Sequence, residues 1–181
     1  SDQDEILIKH KALMDGYYKN DIITNETIID GWLHTGDQGE IDKDGFLKIT
    51  GRIKDLFKTS KGKYIVPSSI EMLLSDDPNI DQLCVVGAGL SQPILLVVLN
   101  EVAKNKPATE IKELLGKSLF NLNSKLNSHE RISKMIVISE TWTIENKFLT
   151  PTMKLKRNLI ENKYQEKYEF WLDKTNQIIF E

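Results

Sequence analysis

The sequence predicts an α+β fold, because strand-like runs and helical stretches follow one another without the regular alternation of a parallel α/β protein. The strand-like runs are short, apolar and bounded by turn residues, whereas residues 109–126 carry apolar side chains near the helical period. With 181 residues, 40% hydrophobic and 28% charged, the chain has the composition of an ordinary globular protein. Its one cysteine, Cys84, excludes an intrachain disulfide and fits a reducing compartment. No apolar run approaches the roughly 20 residues that a membrane-spanning helix needs.

The first fifty residues predict strands and turns. Ile6–Ile8 is a short apolar strand, and Asp30-Gly31 is a strong turn signal. A hairpin follows, with arms at Gln38–Ile41 and Phe46–Ile49 joined by an Asp-Lys-Asp-Gly turn. Large apolar residues are few here, so we expect this region to be the edge of a larger domain and not to form a core of its own.

The remaining residues predict a second hairpin and then alternating strands and helices. The hairpin spans Arg52–Val66, and Pro67 begins a helix that Ser68 or a neighbour caps, with Glu71 in its first turn. The further predicted elements are strands at Ile80–Val86, Ile94–Leu99 and Ile132–Ile138 and helices at Thr109–Leu126 and Asn158–Leu172.

Composition and charge both change near residue 51, which predicts a β-rich segment over 1–51 and a separate domain over 52–181. Residues 1–45 hold eleven acidic side chains and four lysines, whereas residues 48–63 hold six basic side chains and one acid. The net charge of −3 argues against a general nucleic-acid-binding protein. A local basic stretch in a mildly acidic chain favours a site for a small anion such as a phosphate.

Asp37 is the first candidate binding residue. It follows Gly36 at the end of a strand-like segment, where a carboxylate can accept two hydrogen bonds from a diol such as ribose. The alternative is a turn in which Asp37 binds nearby backbone N–H groups. Spacing alone leaves both interpretations open.

A second candidate segment, residues 51–62, carries four cations. Strand alternation predicts that Arg52, Lys54 and Lys58 lie on one face, where a planar guanidinium and two ammonium groups can bind an anion. The alternative is a solvated edge strand that its lysines protect from aggregation.

Lys154 is the third candidate, because it follows a Thr-Pro-Thr turn within residues 149–157. A lysine that projects from such a turn into a cleft can neutralise developing negative charge. The alternative is a polar entry to the last helix.

Other types of site find no support in the sequence. The three histidines are scattered and Cys84 lies in an apolar strand, so we predict no metal site and a core role for the cysteine. Neither a Gly-x-Ser-x-Gly motif nor a Walker phosphate loop occurs.

Three segments, taken together and in this order, resemble the acyl-adenylate-forming enzymes, and most closely the long-chain fatty-acid–CoA ligases. The segments are Asp30–Asp37, Gly51–Lys58 and Leu149–Arg157. The resemblance implies that residues 1–51 are the edge of a large N-terminal domain. It also implies that residues 52–181 are a mobile C-terminal lid with a short mixed sheet, a two-stranded hairpin and flanking helices.

The resemblance implies an activity in two half-reactions. A fatty acid reacts with ATP and Mg²⁺ to give an acyl-adenylate and pyrophosphate, and the acyl group then passes to the thiol of coenzyme A. The fatty acid and coenzyme A would meet the upstream domain, and the expected location is the cytoplasm, with peripheral membrane association left open. The family's phosphate loop and acyl pocket lie upstream of these 181 residues, so we expect the chain alone to be inactive.

The resemblance also assigns roles to single residues. Asp37 matches the aspartate that binds the ribose hydroxyls of the nucleotide, and Arg52 matches an arginine that contacts the same ribose. Lys54 falls on the hinge about which the lid swings between half-reactions. Lys154 matches the lysine of the adenylation step, which meets the carboxylate and the α-phosphate.

The resemblance also implies that Lys58, Ser60 and Gly62 belong to the surface that faces coenzyme A in the second half-reaction.

Met153 departs from the family pattern, since many relatives have glycine before the adenylation lysine. Two other functions stay open: a free-standing nucleotide- or partner-binding module, and an acyl-adenylating enzyme with another acceptor, such as a carrier-protein phosphopantetheine.

Overall fold

The computed structural model describes residues 4–181, which form two compact units, the first ending at Leu56 and the second spanning Phe57–Glu181. The division between the units falls a few residues after the boundary expected near residue 51. Each unit has its own sheet, so each is described by itself.

The first unit is a small antiparallel sheet with one short helix. Its elements are β1 (Glu5–Ile8), α1 (Asp21–Thr27), β2 (Ile28–Ile29), β3 (Trp32–Ile41) and β4 (Leu47–Arg52). Strand β3 pairs with β1, β2 and β4, and all three pairings are antiparallel. The predicted hairpin over residues 38–49 is confirmed, and the Asp30-Gly31 turn joins β2 to β3.

The predicted extended arm from Arg52 to Lys58 is wrong over its middle. Strand β4 ends at Arg52, and Ile53–Asp55 forms a 3₁₀ turn closed by the Leu56 N–H on the Ile53 carbonyl (3.2 Å). The turn interrupts the two-residue period of a strand, so strand alternation does not place the cations at 52, 54 and 58 on one face.

The second unit holds a four-stranded mixed sheet, a two-stranded hairpin and five helices among the described residues. Its strands are β5 (Phe57–Lys58), β6 (Tyr64–Ile65), β7 (Ile80–Val86), β8 (Ile94–Leu99), β9 (Met135–Val137) and β10 (Ile178–Phe180). Its helices are α2 (Pro67–Met72), α3 (Glu101–Lys104), α4 (Ala108–Lys125), α5 (Arg157–Tyr164) and α6 (Tyr168–Leu172). The sheet order is β10-β9-β8-β7, with β7 antiparallel and the other pairs parallel, and β5 pairs with β6.

Both faces of this sheet are covered, which explains why β8 is an unbroken apolar run. Successive residues of a strand point to opposite faces, and the two hydrophobic clusters follow that alternation. Leu95 and Val97 pack with α2 and α4 in one cluster, whereas Leu96 and Val98 pack with α5 and α6 in the other. The α+β class predicted from the sequence is confirmed.

Three local expectations, on the start of β9, the cap of α2 and the length of the last helix, were wrong. Ile132 does not begin β9, since the side-chain amide of Asn123 on α4 binds both its N–H (2.8 Å) and its carbonyl (2.9 Å). Val66 precedes α2 without a side-chain cap, and Glu71 binds elsewhere, as described below. The predicted last helix is divided into α5 and α6 by a 3₁₀ turn at Gln165–Lys167.

Within residues 4–181, no helix combines the length and apolar character needed to cross a bilayer.

Candidate nucleotide and acyl-transfer site

Two of the predicted site residues lie directly opposite each other in the first unit. Asp37 on β3 is the cross-strand partner of Arg52 on β4. The Arg52 Nε lies 3.0 Å from Asp37 Oδ1, and the side chains are 56% and 32% exposed. Because the carboxylate is partly exposed, its oxygen lone pairs remain available to a diol, and the planar guanidinium lies beside it. This geometry fits the ribose-binding role that the resemblance implies.

The turn before Asp37 is held by Glu5, a residue that the sequence analysis did not select. The Glu5 carboxylate accepts a hydrogen bond from the Gly36 N–H (2.9 Å) and lies 2.9 Å from the His34 Nδ1. The Asp37 N–H donates to the Thr35 hydroxyl oxygen (3.1 Å). Backbone N–H groups of this turn are therefore bound by Glu5 and Thr35, whereas the Asp37 carboxylate pairs with Arg52.

The Glu5 carboxyl is electrostatically adapted to this position. Burial acts to raise its pKa, but the Gly36 N–H and the His34 ring outweigh it, so that the pKa lies below the ordinary value of 4.5. Glu5 is therefore ionised at neutral pH and orders the turn that carries Asp37.

Lys54 occupies the centre of the 3₁₀ turn at the end of the first unit. It lines, with Arg52 and His34, an open cavity of about 520 Å³ that also includes Glu5, Glu26 and Tyr17. Both carboxylates and cations line this cavity, so it offers donors and acceptors to a polar ligand.

The loop predicted to face coenzyme A joins β5 to β6 in the second unit. It is a tight turn, in which the Gly62 N–H donates to the Thr59 carbonyl (2.9 Å) and Gly62 has a φ of 73°. Ser60 and Gly62 are exposed, whereas Thr59 is buried and its hydroxyl accepts from the Lys63 N–H (3.2 Å). The Lys58 ammonium lies over the Tyr64 ring, 4.7 Å from its centroid. The backbone is thus fixed while polar groups face solvent.

Lys154 lies in a small hairpin with a buried stem and an exposed tip. Leu149 and Leu155 form an isolated antiparallel bridge, and the hydrogen bond from the Met153 N–H to the Thr150 carbonyl (2.9 Å) closes the turn. The Lys154 N–H donates to the Thr150 hydroxyl oxygen (3.0 Å), and the Thr150 N–H donates to the Lys154 carbonyl (2.8 Å). Leu149 is buried, and residues 151–154 are exposed. The backbone of Lys154 is therefore held while its side chain faces solvent.

Met153 occupies the position in this turn where glycine is favoured. A three-residue loop of this kind begins like a type I turn, with proline in its second position, and ends on a left-handed residue. Pro151 meets the first condition, and Met153 meets the second with a φ of 62°. The glycine of the family pattern therefore has a conformational reason, and Met153 keeps the same backbone at a cost of roughly 1 kcal/mol.

The base of the Lys154 hairpin is fixed by a nearly buried ion pair between α5 and α2. Arg157 donates to both carboxylate oxygens of Glu71, at 2.6 and 2.9 Å, and the side chains are 13% and 16% exposed. Arg157 also donates to the Val85 carbonyl (2.7 Å), and Glu71 accepts from the Val85 N–H (2.7 Å). The start of α5, three residues after Lys154, is thereby tied to both α2 and β7.

The predicted site residues divide between the two units. The first unit holds Asp37, Arg52 and Lys54, and the second holds Lys58, Ser60, Gly62 and Lys154. Sequence reasoning missed Glu5 and missed the pairing of Glu71 with Arg157. Both glutamates lie outside the three motif segments, and no periodic pattern in the sequence links them to their partners. Within residues 4–181, no group of three His, Cys, Asp or Glu side chains could hold a metal ion.

One unit has a small mixed sheet with helices on both faces and an exposed lysine hairpin, and the other has an Asp–Arg pair on a β-hairpin. Together these features define the C-terminal region of an acyl-adenylate-forming protein. Residues 54–174 match the AMP-binding enzyme C-terminal domain, and the chain belongs to this family.

Among curated relatives, a long-chain-fatty-acid–CoA ligase of Mycobacterium tuberculosis is 31% identical, over 93% of this chain and 31% of its own length. Long chain acyl-CoA synthetase 3 of Arabidopsis thaliana is 30% identical, over 96% of this chain and 29% of its own length. The chain thus spans about three tenths of these relatives.

Solved structures agree with this assignment. The adenylation domain of a carboxylate reductase from Mycobacterium chelonae matches 92% of this chain with a TM-score of 0.81 and 27% identity, over 27% of its own chain. The corresponding domain from Segniliparus rugosus, in complex with AMP and a co-purified carboxylic acid, matches 92% with a TM-score of 0.79 and 28% identity, over 27% of its own chain.

Glu71→Ala is expected to destabilise the second unit by about 3–5 kcal/mol, because it leaves the Arg157 guanidinium buried without its counter-charge. Urea unfolding of the chain measures the change. Glu113→Ala is the matched control, since Glu113 forms an exposed pair with Lys117 on α4, and no shift in its midpoint is expected. Equal midpoints for the two variants would contradict the structural role of Glu71.

Met153→Gly is expected to leave the chain at least as stable, since glycine adopts the left-handed backbone without strain. Thr152→Gly is the matched control one residue earlier, where the backbone is not left-handed and added flexibility is destabilising. Urea midpoints compare the two, and a less stable Met153→Gly variant would argue against this turn.

The Gly36 amide resonance is expected to titrate with a midpoint below pH 4.5, because protonation of Glu5 removes its hydrogen-bond acceptor. The pKa of Glu5 is lowered on folding, so its stabilising contribution is complete above pH 4.5 and is lost as the pH falls through the folded-state pKa. An NMR titration of the chain measures this midpoint. Glu5→Gln should abolish the transition, and its persistence in that variant would assign it to another group.

Proposed function

We propose that this chain is the C-terminal part of a long-chain fatty-acid–CoA ligase that forms AMP, and that its second unit supplies the catalytic ammonium of the adenylation step. The observation that carries the proposal is the Lys154 hairpin, with its anchored stem and exposed tip, in a domain of the AMP-binding family. The names of the curated relatives support the ligase activity and the fatty-acid substrate.

In the first half-reaction, a carboxylate oxygen forms a bond to the α-phosphorus of ATP, and the bond to pyrophosphate breaks with its electron pair on the leaving group. Two anions must approach each other, so a cation at the point of attack lowers the barrier. Lys154 is proposed to supply this charge. Because the hairpin holds its backbone through Thr150, only the side chain must be ordered.

Asp37 and Arg52 are proposed to hold the nucleotide at its ribose. A carboxylate can accept hydrogen bonds from both hydroxyls of a diol, and the neighbouring guanidinium can donate to the same sugar. Magnesium belongs to the ATP chemistry of the family, where it would neutralise phosphate charge. Among residues 4–181, no group of three His, Cys, Asp or Glu side chains offers ligands for this ion.

In the second half-reaction, the sulfur of coenzyme A forms a bond to the acyl carbon, and the bond to AMP breaks. The thiol loses its proton to solvent or base, and AMP leaves with the electron pair. The loop over Lys58–Gly62 is proposed to face coenzyme A, and the 3₁₀ turn at Lys54 is the proposed hinge of a mobile lid. A few residues at the end of an element can absorb such a change.

A second candidate keeps the adenylation and changes the acceptor. The A-PCP didomain of a carboxylic acid reductase from Segniliparus rugosus matches with a TM-score of 0.77 and 28% identity. That likeness favours a carrier-protein thiol as the alternative to coenzyme A.

We further propose that the protein is cytoplasmic and has no nucleic-acid partner. We also propose that these 181 residues alone do not catalyse adenylation.

Lys154→Ala, in a ligase that carries this chain as its C-terminal part, is expected to reduce pyrophosphate release by at least about 100-fold. Thioester formation from supplied acyl-adenylate should be spared, because that step does not need the charge at the α-phosphate. Lys112→Ala on the exposed surface of α4 is the matched control. Each half-reaction is measured separately, with coenzyme A and with a carrier protein as acceptor. Equal loss of both steps, or loss of neither, would contradict the role of Lys154.

A further inference from the structure

We propose that Glu161 on α5 is a positioning residue for the second half-reaction, because it holds the loop on which the proposed coenzyme A face rests. The inference depends on the function proposed above for Lys58–Gly62. The hydrogen bonds that support it lie entirely within the second unit.

The Glu161 carboxylate is bound to the loop that follows β7. Its Oε1 accepts hydrogen bonds from the N–H groups of Gly87 and Ala88, both at 3.2 Å. The Tyr168 hydroxyl donates to the same oxygen at 2.9 Å. Burial and then the Glu161 charge raise the pKa of Tyr168, so its hydroxyl remains protonated and continues to donate. Hydrogen bonds to an ionised carboxylate are about twice as strong as neutral ones.

The loop that Glu161 binds has little conformational freedom at its first residue. Gly87 has a φ of 118°, and a Cβ there would meet the Leu90 side chain at 3.1 Å and the backbone of Pro93 and Ile94 at 3.4 Å. Only glycine fits this position without strain. The N–H groups of Gly87 and Ala88 are therefore held by close packing around Gly87 and by their hydrogen bonds to Glu161.

The same loop supports the proposed coenzyme A face through backbone hydrogen bonds. The Gly89 N–H donates to the Lys58 carbonyl at 2.9 Å, and the Ser60 N–H donates to the Leu90 carbonyl at 2.9 Å. A continuous chain of contacts thus runs from Glu161 through Gly87–Leu90 to the β5–β6 loop.

Glu161 lies one turn of α5 beyond Arg157, and the two residues support different loops. Arg157 fixes the base of the Lys154 hairpin, whereas the Glu161 carboxylate binds the Gly87–Leu90 loop and the Tyr168 hydroxyl. Loss of Glu161 is therefore expected to loosen the coenzyme A face while the adenylation hairpin keeps its anchor. A residue with a general structural role would impair both half-reactions together.

The kinetic test compares Glu161→Ala, Glu161→Gln and Tyr168→Phe in the ligase that carries this chain. Glu161→Ala should raise the KM for coenzyme A roughly tenfold, the effect of losing hydrogen bonds to a charged group, with pyrophosphate release unchanged. Glu161→Gln keeps one carbonyl acceptor and should recover most of the loss. Tyr168→Phe removes one donor to the same carboxylate and should raise the same KM, by less than Glu161→Ala does. Glu166→Ala is the matched control for an exposed glutamate in the neighbouring turn. An unchanged KM, or an equal loss of both half-reactions, overturns the proposal.

Amide hydrogen exchange on the 181-residue chain tests the contact itself without any activity. Faster exchange at Ala88, Gly89 and Ser60 in Glu161→Ala, with unchanged exchange at Val97 in the sheet, is the expected result. Unchanged exchange at the three loop amides overturns the proposal. If the unsubstituted ligase forms no thioester at all, the proposed function fails, and the exchange result still decides whether Glu161 holds this loop.

Discussion

The nearly buried ion pair between Glu71 and Arg157 is the interaction on which the arrangement of the second unit depends. Apolar packing brings α5 onto the sheet, but it is non-directional and tolerates sliding of the helix along its groove. The forked pair has one geometry, and the additional bonds of both side chains to Val85 relate it to the sheet as well. Helix α5 therefore has a fixed register relative to β7, and the Lys154 hairpin that precedes it inherits that register.

The sequence predicted well those elements whose pattern is local. The unbroken apolar run of β8 and the spacing of Ile111, Leu115, Leu119 and Leu122 on α4 each follow from burial on a known face. Their bounds agree with the structure to within one residue. Elements decided by contacts distant in the chain were not predicted. The three-residue strand β10 depends on pairing with β9, and the start of β9 depends on an asparagine of α4.

The candidate site shows the same division. The motif segments led to the selection of Asp37, Arg52 and Lys154, because each segment is short and contiguous in the sequence. Strand alternation does not apply to the cations that follow Arg52, since four residues, three of them in a 3₁₀ turn, separate β4 from β5. The supporting carboxylates were missed for a different reason. Glu5 lies 31 residues from Gly36, and Glu71 lies 86 residues from Arg157, so neither pairing produces a sequence period.

The two loops of the second unit that are proposed to act in the reaction each combine a fixed backbone with exposed polar side chains, and different groups on α5 fix them. An ammonium is useful to a transition state only if it is in place before charge develops, which requires an ordered backbone and leaves only side-chain rotamers to be selected. The Lys154 hairpin meets this requirement through Thr150, Leu149 and the anchored start of α5. The β5–β6 loop meets it through the Gly87–Leu90 loop and Glu161. Because α5 is common to both, a rigid-body movement of the second unit carries the two loops together, and neither needs to refold for the other to act.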